Sequence, residues 1–282
     1  MKIGNTDIVD CKIGSTQVNK VYLGSNLVWE KASPALYELY YDVNGLSINS
    51  TNTFGTVDAL GNISSFISTS PALGTDELSQ NTLSSQPNLI VDHFGTGKNA
   101  ILFNGTSDFL IKVNTPYTPN WDDEFWFALN FKTTNKVNNC ILANGQGILF
   151  AGGTGLRLQF STSGELVFVL VSENSGAITA KNHFTNNDYA NNVQHSLIYH
   201  HKGTNTITDD DFYINGTIVS STSTRDDDFT GKSIYPFDLS VNTVLGHRAD
   251  SNAKYSGYLG KTILGLGNPN ITAINNALNS AS

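Results

Sequence analysis

Two acidic runs, Asp209-Asp210-Asp211 and Asp226-Asp227-Asp228, flank an Asn215-Gly216 dipeptide. Asn-Gly between apolar stretches is a hairpin-turn signal, so the two runs belong to neighbouring loops. Clustered carboxylates there offer the hard oxygen ligands that calcium takes, with Asp209, Asp211, Asp226 and Asp228 as the candidate ligands. The alternative reading is a pair of solvated turns whose charge limits edge-to-edge association. The runs favour the solvated turn, and no cofactor is expected beyond this calcium candidate. Asp122-Asp123-Glu124 reads the same way. His200 and His201 are adjacent, so on a strand they face opposite sides and cannot meet at one metal. His195 reads as the start of that strand. Each Gly-Lys pair (Gly97-Lys98, Gly231-Lys232, Gly260-Lys261) lacks the earlier glycine of a phosphate loop, since Asp92, Asp226 and Tyr255 stand there. No Gly-x-Ser-x-Gly elbow and no His-Glu-x-x-His are present. Glycoside hydrolysis needs two carboxylates flanking the bond. Glu165 and Glu173 are separated by an apolar strand pattern and do not make such a pair.

Exposed aromatic rings are the other chemistry to look for, because sugars stack their C–H faces on them. Trp121 follows Tyr117-Thr118-Pro119-Asn120 just before an apolar strand and is a candidate loop platform or a cap on the core. Trp126 shares its strand face with Ala128 and Asn130, which predicts an exposed sheet face. Tyr117, Trp121 and Trp126 are therefore the candidate glycan-binding residues. Trp29 reads instead as a packing residue.

Composition narrows the classes. Asn, Ser and Thr supply 88 of the 282 residues, while charged residues are only 14%. The surface is thus polar through amides and hydroxyls. A net charge of −8 with no Lys/Arg cluster argues against nucleic-acid binding. The start, Met1-Lys2-Ile3-Gly4, lacks the apolar run of a secretion signal, and no stretch is long and apolar enough to span a bilayer, so no membrane insertion is expected. Cys11 and Cys140 have no spacing that asks for pairing and read as two free thiols. Fifteen Phe and 11 Tyr can build a large core.

The elements that must position these groups are strands. Residues 3–29 repeat with a period of ten: Ile3-Gly4-Asn5-Thr6, Ile13-Gly14-Ser15-Thr16 and Leu23-Gly24-Ser25-Asn26 align, as do Ile8, Val18 and Val28. Each unit reads as a turn followed by a short strand, giving a small β-meander that cannot bury enough to stand alone. Residues 1–32 are therefore one module and 33–282 another. In the second, period-2 alternation marks Ile101–Phe103, Phe109–Val113, Phe125–Phe131, Leu156–Phe160, Leu166–Val171, Leu197–His201 and Phe212–Val219. Phe127, Leu129 and Phe131 should point into the core. Leu156, Leu158 and Phe160 should do so with Arg157 and Gln159 wet, while Leu166 to Leu170 should be covered on both faces. Residues 44–99 read as one or two strands joined by long surface loops. Ile271, Ile274 and Leu278 could line one face of a short closing helix. The class is all-β, an antiparallel sandwich or jelly roll.

The order of motifs over roughly residues 36–280 resembles the concanavalin A-like, laminin-G-type jelly roll. It is carried by Asp58-Ala59-Leu60-Gly61-Asn62, Gln86-Pro87, Phe103-Asn104-Gly105-Thr106-Ser107-Asp108-Phe109-Leu110, the strand Phe125-Trp126-Phe127-Ala128-Leu129, His195 to Tyr199 with Phe212-Tyr213-Ile214-Asn215-Gly216, and Leu245-Gly246-His247 with Tyr255-Ser256-Gly257-Tyr258-Leu259. Glucanases of that fold carry Glu-x-Asp-x-x-Glu on one strand, which is absent here. Where family members commonly place an acid after the last element, this chain has Lys261-Thr262, which weakens any calcium site. The run Gly14-Ser15-Thr16-Gln17-Val18-Asn19-Lys20-Val21-Tyr22-Leu23-Gly24-Ser25-Asn26-Leu27-Val28-Trp29 resembles segments at the start of bacteriophage virion proteins.

The two resemblances together imply a non-enzymatic virion surface protein, a decoration protein or fibre. Its first module would anchor to other virion proteins of the capsid or tail through Val18, Val21, Tyr22, Leu27, Val28 and Trp29. Its jelly roll would contact host or environmental glycans, in many copies or as a homo-oligomer. A purely structural decoration protein and a glucanase-like hydrolase are the alternatives, the second disfavoured by the missing carboxylates.

Overall fold

A computed structural model describes residues 38–70, 76–112, 123–137, 139–145, 155–174, 177–204, 209–226, 243–247 and 253–281, together with the short strands of the N-terminal repeat. The chain divides into two compact units, Met1–Leu36 and Tyr37–Ser282.

In the first unit the strands are β1 (Lys2–Ile3), β2 (Thr6–Asp7), β3 (Lys12–Ile13), β4 (Thr16–Gln17), β5 (Lys20–Leu23) and β6 (Asn26–Glu30). They pair as three hairpins, β1 with β2, β3 with β4 and β5 with β6. Each ten-residue unit thus supplies two short strands rather than the one expected. The pairs Ile3↔Thr6, Ile13↔Thr16 and Leu23↔Asn26 bracket the aligned Gly-Asn and Gly-Ser dipeptides, so each repeat pairs within itself. Val21 pairs with Trp29 and Tyr22 with Leu27, which leaves Val28 as the extra residue of a bulge. Val18 lies outside the described residues.

The second unit runs β7 (Leu39–Tyr41), β8 (Ser50–Asn52), β9 (Gly55–Val57), β10 (Ile63–Ser68), β11 (Asp76–Ser79), β12 (Asn88–Ile90), β13 (Ala100–Asn104), β14 (Leu110–Lys112), β15 (Glu124–Lys132), β16 (Cys140–Gly145), β17 (Gly155–Phe160), β18 (Leu166–Asn174), β19 (Ala177–Thr185), β20 (His195–Lys202), β21 (Asp211–Ile214), β22 (Thr217–Val219), β23 (Ser221–Asp226), β24 (Thr243–Leu245) and β25 (Ser256–Leu266), then the helix α1 (Ile271–Asn279). One layer is ordered β22-β21-β20-β15-β25, with β7 and β13 on two stretches of the far edge of β25 and β12 beyond β13. The other is ordered β23-β19-β18-β17-β16-β24-β14-β11-β10-β9-β8. All pairings are antiparallel, and Ser68↔Tyr41 joins the layers at one side. This is a β-sandwich. The seven alternating stretches read from the sequence each contain strand residues: Phe109–Val113 holds β14, with Val113 outside the described residues, and Phe212–Val219 is the β21–β22 hairpin. Asn215 and Gly216 both have positive φ, 53° and 78°, the conformation a two-residue hairpin loop requires. Residues 44–99 hold five strands, β8 to β12, where one or two were expected. Their short polar runs, such as Ser50-Thr51-Asn52, carry no hydrophobic alternation to reveal them.

The core lies between the layers. Phe127, Leu129, Phe131, Leu197, Tyr199 and Phe212 meet Leu142, Leu156, Leu158, Leu166, Phe168 and Leu170, all buried. Phe168 stacks on Tyr199 at 4.1 Å and Phe131 packs edge-on to Phe160 at 5.6 Å. Leu166 to Leu170 is buried on both faces, as expected. Arg157 and Gln159 are half-buried rather than wet. Cys140 is buried, and Cys11 lies outside the described residues. No described helix is long and apolar enough to cross a membrane.

Trp126 corrects an expectation. It is only 2% exposed and forms a second core with Ala128, Ile198 and Ile263, covered by Ile274 and Leu278 of α1. Its ring lies over Gly265, directly opposite on β25, where a Cβ would sit 2.3 Å from the ring. The amphipathic helix, capped by the Asn270 side chain on the Ala273 amide, turns what looked like a solvent face into an interior. Lys261 fastens the other end of the helix: its ammonium donates to the Ala277 carbonyl at 3.2 Å and to Ser280 Oγ at 2.9 Å, favourable at the negative pole of the helix.

Removing either buried ring should be costly. Phe131→Ala and Trp126→Ala should each lose about 3–5 kcal/mol in denaturant unfolding. Ile218→Ala, at a site 57% exposed, should stay within about 0.5 kcal/mol. A Trp126→Ala loss as small as that of Ile218→Ala would mean α1 does not cover this face.

Two buried hydroxyls set an alkaline limit. Tyr41 donates to Asp76 Oδ2 at 2.5 Å, and burial, reinforced by that carboxylate, pushes its pKa up. Burial does the same to Tyr255, whose hydroxyl reaches the Tyr258 carbonyl. Both keep their protons in the folded state where the unfolded chain releases them, near pH 10. Stability is therefore full below about pH 10 and falls as pH rises beyond it, by up to about 1.4 kcal/mol per pH unit for each tyrosine. Urea unfolding across that range should show the decline, and Tyr255→Phe should flatten it. An unchanged slope in that variant would remove Tyr255 from the account.

Candidate functional site

The acidic run 209–211 is built into the fold. Asp210 is buried, not solvated as expected; its carboxylate accepts from Tyr199 Oη at 2.5 Å, His201 Nδ1 at 2.8 Å and the Lys202 amide at 2.9 Å. Asp211 meets Lys202 Nζ at 3.0 Å and the Tyr213 hydroxyl at 3.1 Å. Asp209 is exposed. Tyr199 and His201 recur with period two on β20, and that shared face was the signal that a carboxylate on the adjoining segment points inward. Asp226 ends β23, and Asp228 lies outside the described residues. Among the described residues no three His, Cys, Asp or Glu side chains are grouped to hold a metal. His200 and His201 do face opposite sides: His200 Nε2 meets Glu124 Oε1 at 2.9 Å, whereas His201 points to Asp210.

The motif residues that carried the family resemblance serve loops. Asn104 Oδ1 accepts from the amides of Thr106, Ser107 and Asp108, and Asp108 Oδ2 accepts from the Asn104 amide. Asp58 Oδ1 accepts from the amides of Leu60 and Asn62. These side chains replace the ladder bonds that a turning backbone loses.

Of the three aromatic candidates, Tyr117 and Trp121 lie outside the described residues, and Trp126 is sealed under α1. The sheet surface therefore offers no sugar platform at Trp126.

What the fold does form is an open cavity of about 390 Å³, lined by Asn44, Leu46, Ser47, Ile48, Val91, Asp92, Gly97 and Asn99. That is near the lower end of the ~300–1,000 Å³ of small-ligand sites. One wall follows the turn at Val43–Gly45 and the other is the loop joining β12 to β13. Asn99 ties them together. Its Oδ1 accepts from the Asp92 amide at 3.1 Å, its Nδ2 donates to the Leu46 carbonyl at 3.3 Å, and its own amide donates to Asn44 Oδ1 at 2.8 Å. Asn44 Nδ2 in turn donates to the Ser280 carbonyl, just past α1. Asp92 has φ 54°, an uncommon conformation for a non-glycine residue. Its Oδ1 accepts from the Gly97 amide at 2.6 Å, so the carboxylate is held in place. Ile48 and Val91 are about half exposed and give the cavity an aliphatic rim. Further along the same loop, His93 stacks on Tyr258 at 3.7 Å and meets Phe94 edge-on. Sequence reading missed this site, because Asn44, Asp92 and Asn99 are amides and an acid among many of each.

No protein-family model and no curated protein matches the chain. Solved structures do. Domain 4 of an extracellular arabinanase from Geobacillus stearothermophilus, solved with arabinotriose, superposes with a TM-score of 0.51 at 12% identity, over 85% of this chain and 97% of that one. The receptor binding domain of botulinum neurotoxin D gives 0.47 at 13%, over 86% of this chain and 52% of its own. A Trypanosoma rangeli sialidase gives 0.46 at 10%, over 96% and 36%. The chain thus spans about half the length of the toxin domain it matches. At such identities the likeness is one of fold, the β-sandwich.

The engagement of Asp210 and Asp211 by protein donors yields an expectation about calcium. Adding a chelator should leave the thermal midpoint within about 2 °C, because a ligand that does not bind the folded state cannot stabilise it. A large drop would place a calcium site at these loops.

Proposed function

We propose that this chain is a non-enzymatic surface protein of a bacteriophage particle, anchored by its N-terminal repeat and contacting glycans through its sandwich. The observation that carries the glycan reading is the cavity between Asn44–Ile48 and Val91–Asn99. It combines a fixed carboxylate, the Ser47 hydroxyl and an aliphatic rim, which suits a ligand that has both hydroxyls and a C–H face. Among the described residues Asp92 is the one carboxylate lining it, whereas glycoside hydrolysis needs a pair, which supports binding without turnover. The virion reading rests on the resemblance of residues 14–29 to the start of virion proteins. Three small hairpins bury little surface by themselves, so their stability must come from a partner or from neighbouring copies. Anchored copies on one particle would also supply the avidity that a weak single site lacks.

Two experiments separate the parts of this reading. The chain lacking residues 1–31 should remain folded and soluble yet fail to join particles; assembly at normal copy number would refute the anchor. The full chain, displayed in many copies on a glycan array, should bind a subset of sugars and release no product from a polysaccharide panel. Particle incorporation with no array signal would favour a purely structural decoration protein.

A further inference from the structure

Resting on the glycan reading, we infer that the Asp92 pocket selects uncharged sugar residues and rejects acidic ones. The selection follows from which hydrogen-bonding groups the pocket has left to offer. The Asn99 amide group is consumed internally: Nδ2 donates to the carbonyls of Val43 and Leu46, and Oδ1 accepts from Asp92. Asn44 is committed in part: its Nδ2 donates one N–H to the Ser280 carbonyl and its Oδ1 accepts from the Asn99 amide. Asn99 thus has no side-chain donor left, and the donors that remain on the wall, one Asn44 N–H and the Ser47 hydroxyl, are neutral and cannot offset a ligand's negative charge. Asp92 does have capacity left. Its Oδ1 takes the Gly97 amide, and its exposed Oδ2 remains available. An ionised carboxylate only accepts, so whatever binds it must donate, as sugar hydroxyls do. Lys98, the one lysine of the loop, lines the adjoining small cavity with Asn130, Gln194 and Lys261 rather than this one. An acidic sugar in the pocket would therefore meet a fixed negative charge with no cation among the described residues of the wall, in a chain that already carries −8.

The carboxylate is also aimed in advance. Asp92 holds its left-handed backbone because Asn99 takes its amide and Gly97 gives one to its side chain. A strained residue fixed from two sides is what a positioned contact needs. Ile48 and Val91 then flank it with the apolar surface on which a pyranose can lay its C–H face. The ligand class is thus an uncharged pyranose presenting hydroxyls to Asp92.

The test uses the full chain and two matched oligosaccharide probes with one core, one ending in a neutral hexose and one in a uronic acid. The neutral probe should bind at least about tenfold more tightly, the scale of one like-charge contact in a partly screened site. Asp92→Asn tolerates the same backbone conformation and should weaken neutral binding several-fold while narrowing the gap between probes. Val91→Lys, at an exposed position, should shift preference toward the acidic probe. Equal binding of both probes, or neutral binding unchanged by Asp92→Asn, would overturn the inference while leaving glycan binding intact. If no sugar binds at any copy number, the glycan reading itself fails, and this inference with it.

Discussion

Asn99, 8% exposed, directly precedes β13, and there it bonds segments far apart in sequence. It gathers the Val43 and Leu46 carbonyls, the Asp92 amide and, through Asn44, the end of the chain at Ser280. A buried amide left without partners would cost more than the bonds it makes are worth, so the arrangement holds or fails as a unit. Both walls of the cavity, the orientation of Asp92 and the seat of the C-terminal residues depend on it. The chain is rich in amides and poor in ions, and this is the use it makes of them.

A second constraint works on the other side of the same region. β15 is buried on both faces, by the sandwich core under Phe127 and by α1 over Trp126. A strand covered twice fixes the position of its neighbours, including β25, whose Lys261 reaches Asp42 at 3.4 Å and the end of α1. Asp42 also caps the turn that carries Asn44, through a bond from the Asn44 amide to its Oδ1 at 3.0 Å. Helix, central strand and cavity wall are therefore linked through the Asp42–Asn44 turn.

The strands that the sequence revealed are those dense in apolar residues, such as β15 and β18, or those paired across an Asn-Gly turn. α1 was equally visible from Ile271, Ile274 and Leu278, of which Ile274 and Leu278 are buried. The covering of Trp126 was not visible, because alternation says which residues share a face and not what lies over it. Gly265 was the available sign, a strand glycine leaving room for a ring. Asp210 misled for a related reason: a run of acids looks solvated until the donors of Tyr199 and His201 are placed beside it. The cavity had no sequence signature. Asn44 and Asn99 stand 55 positions apart, and only the closing of the sandwich makes them one hydrogen-bonded pair.

We propose that sugar meets the protein at the pocket secured by Asn99. Amide chemical shifts of the full chain, followed while a neutral oligosaccharide is titrated in, test that directly. Changes concentrated at Ser47, Ile48, Val91, Asp92 and Gly97 are the predicted result. Changes centred instead on Tyr117 and Trp121, or none at saturating sugar, would contradict it.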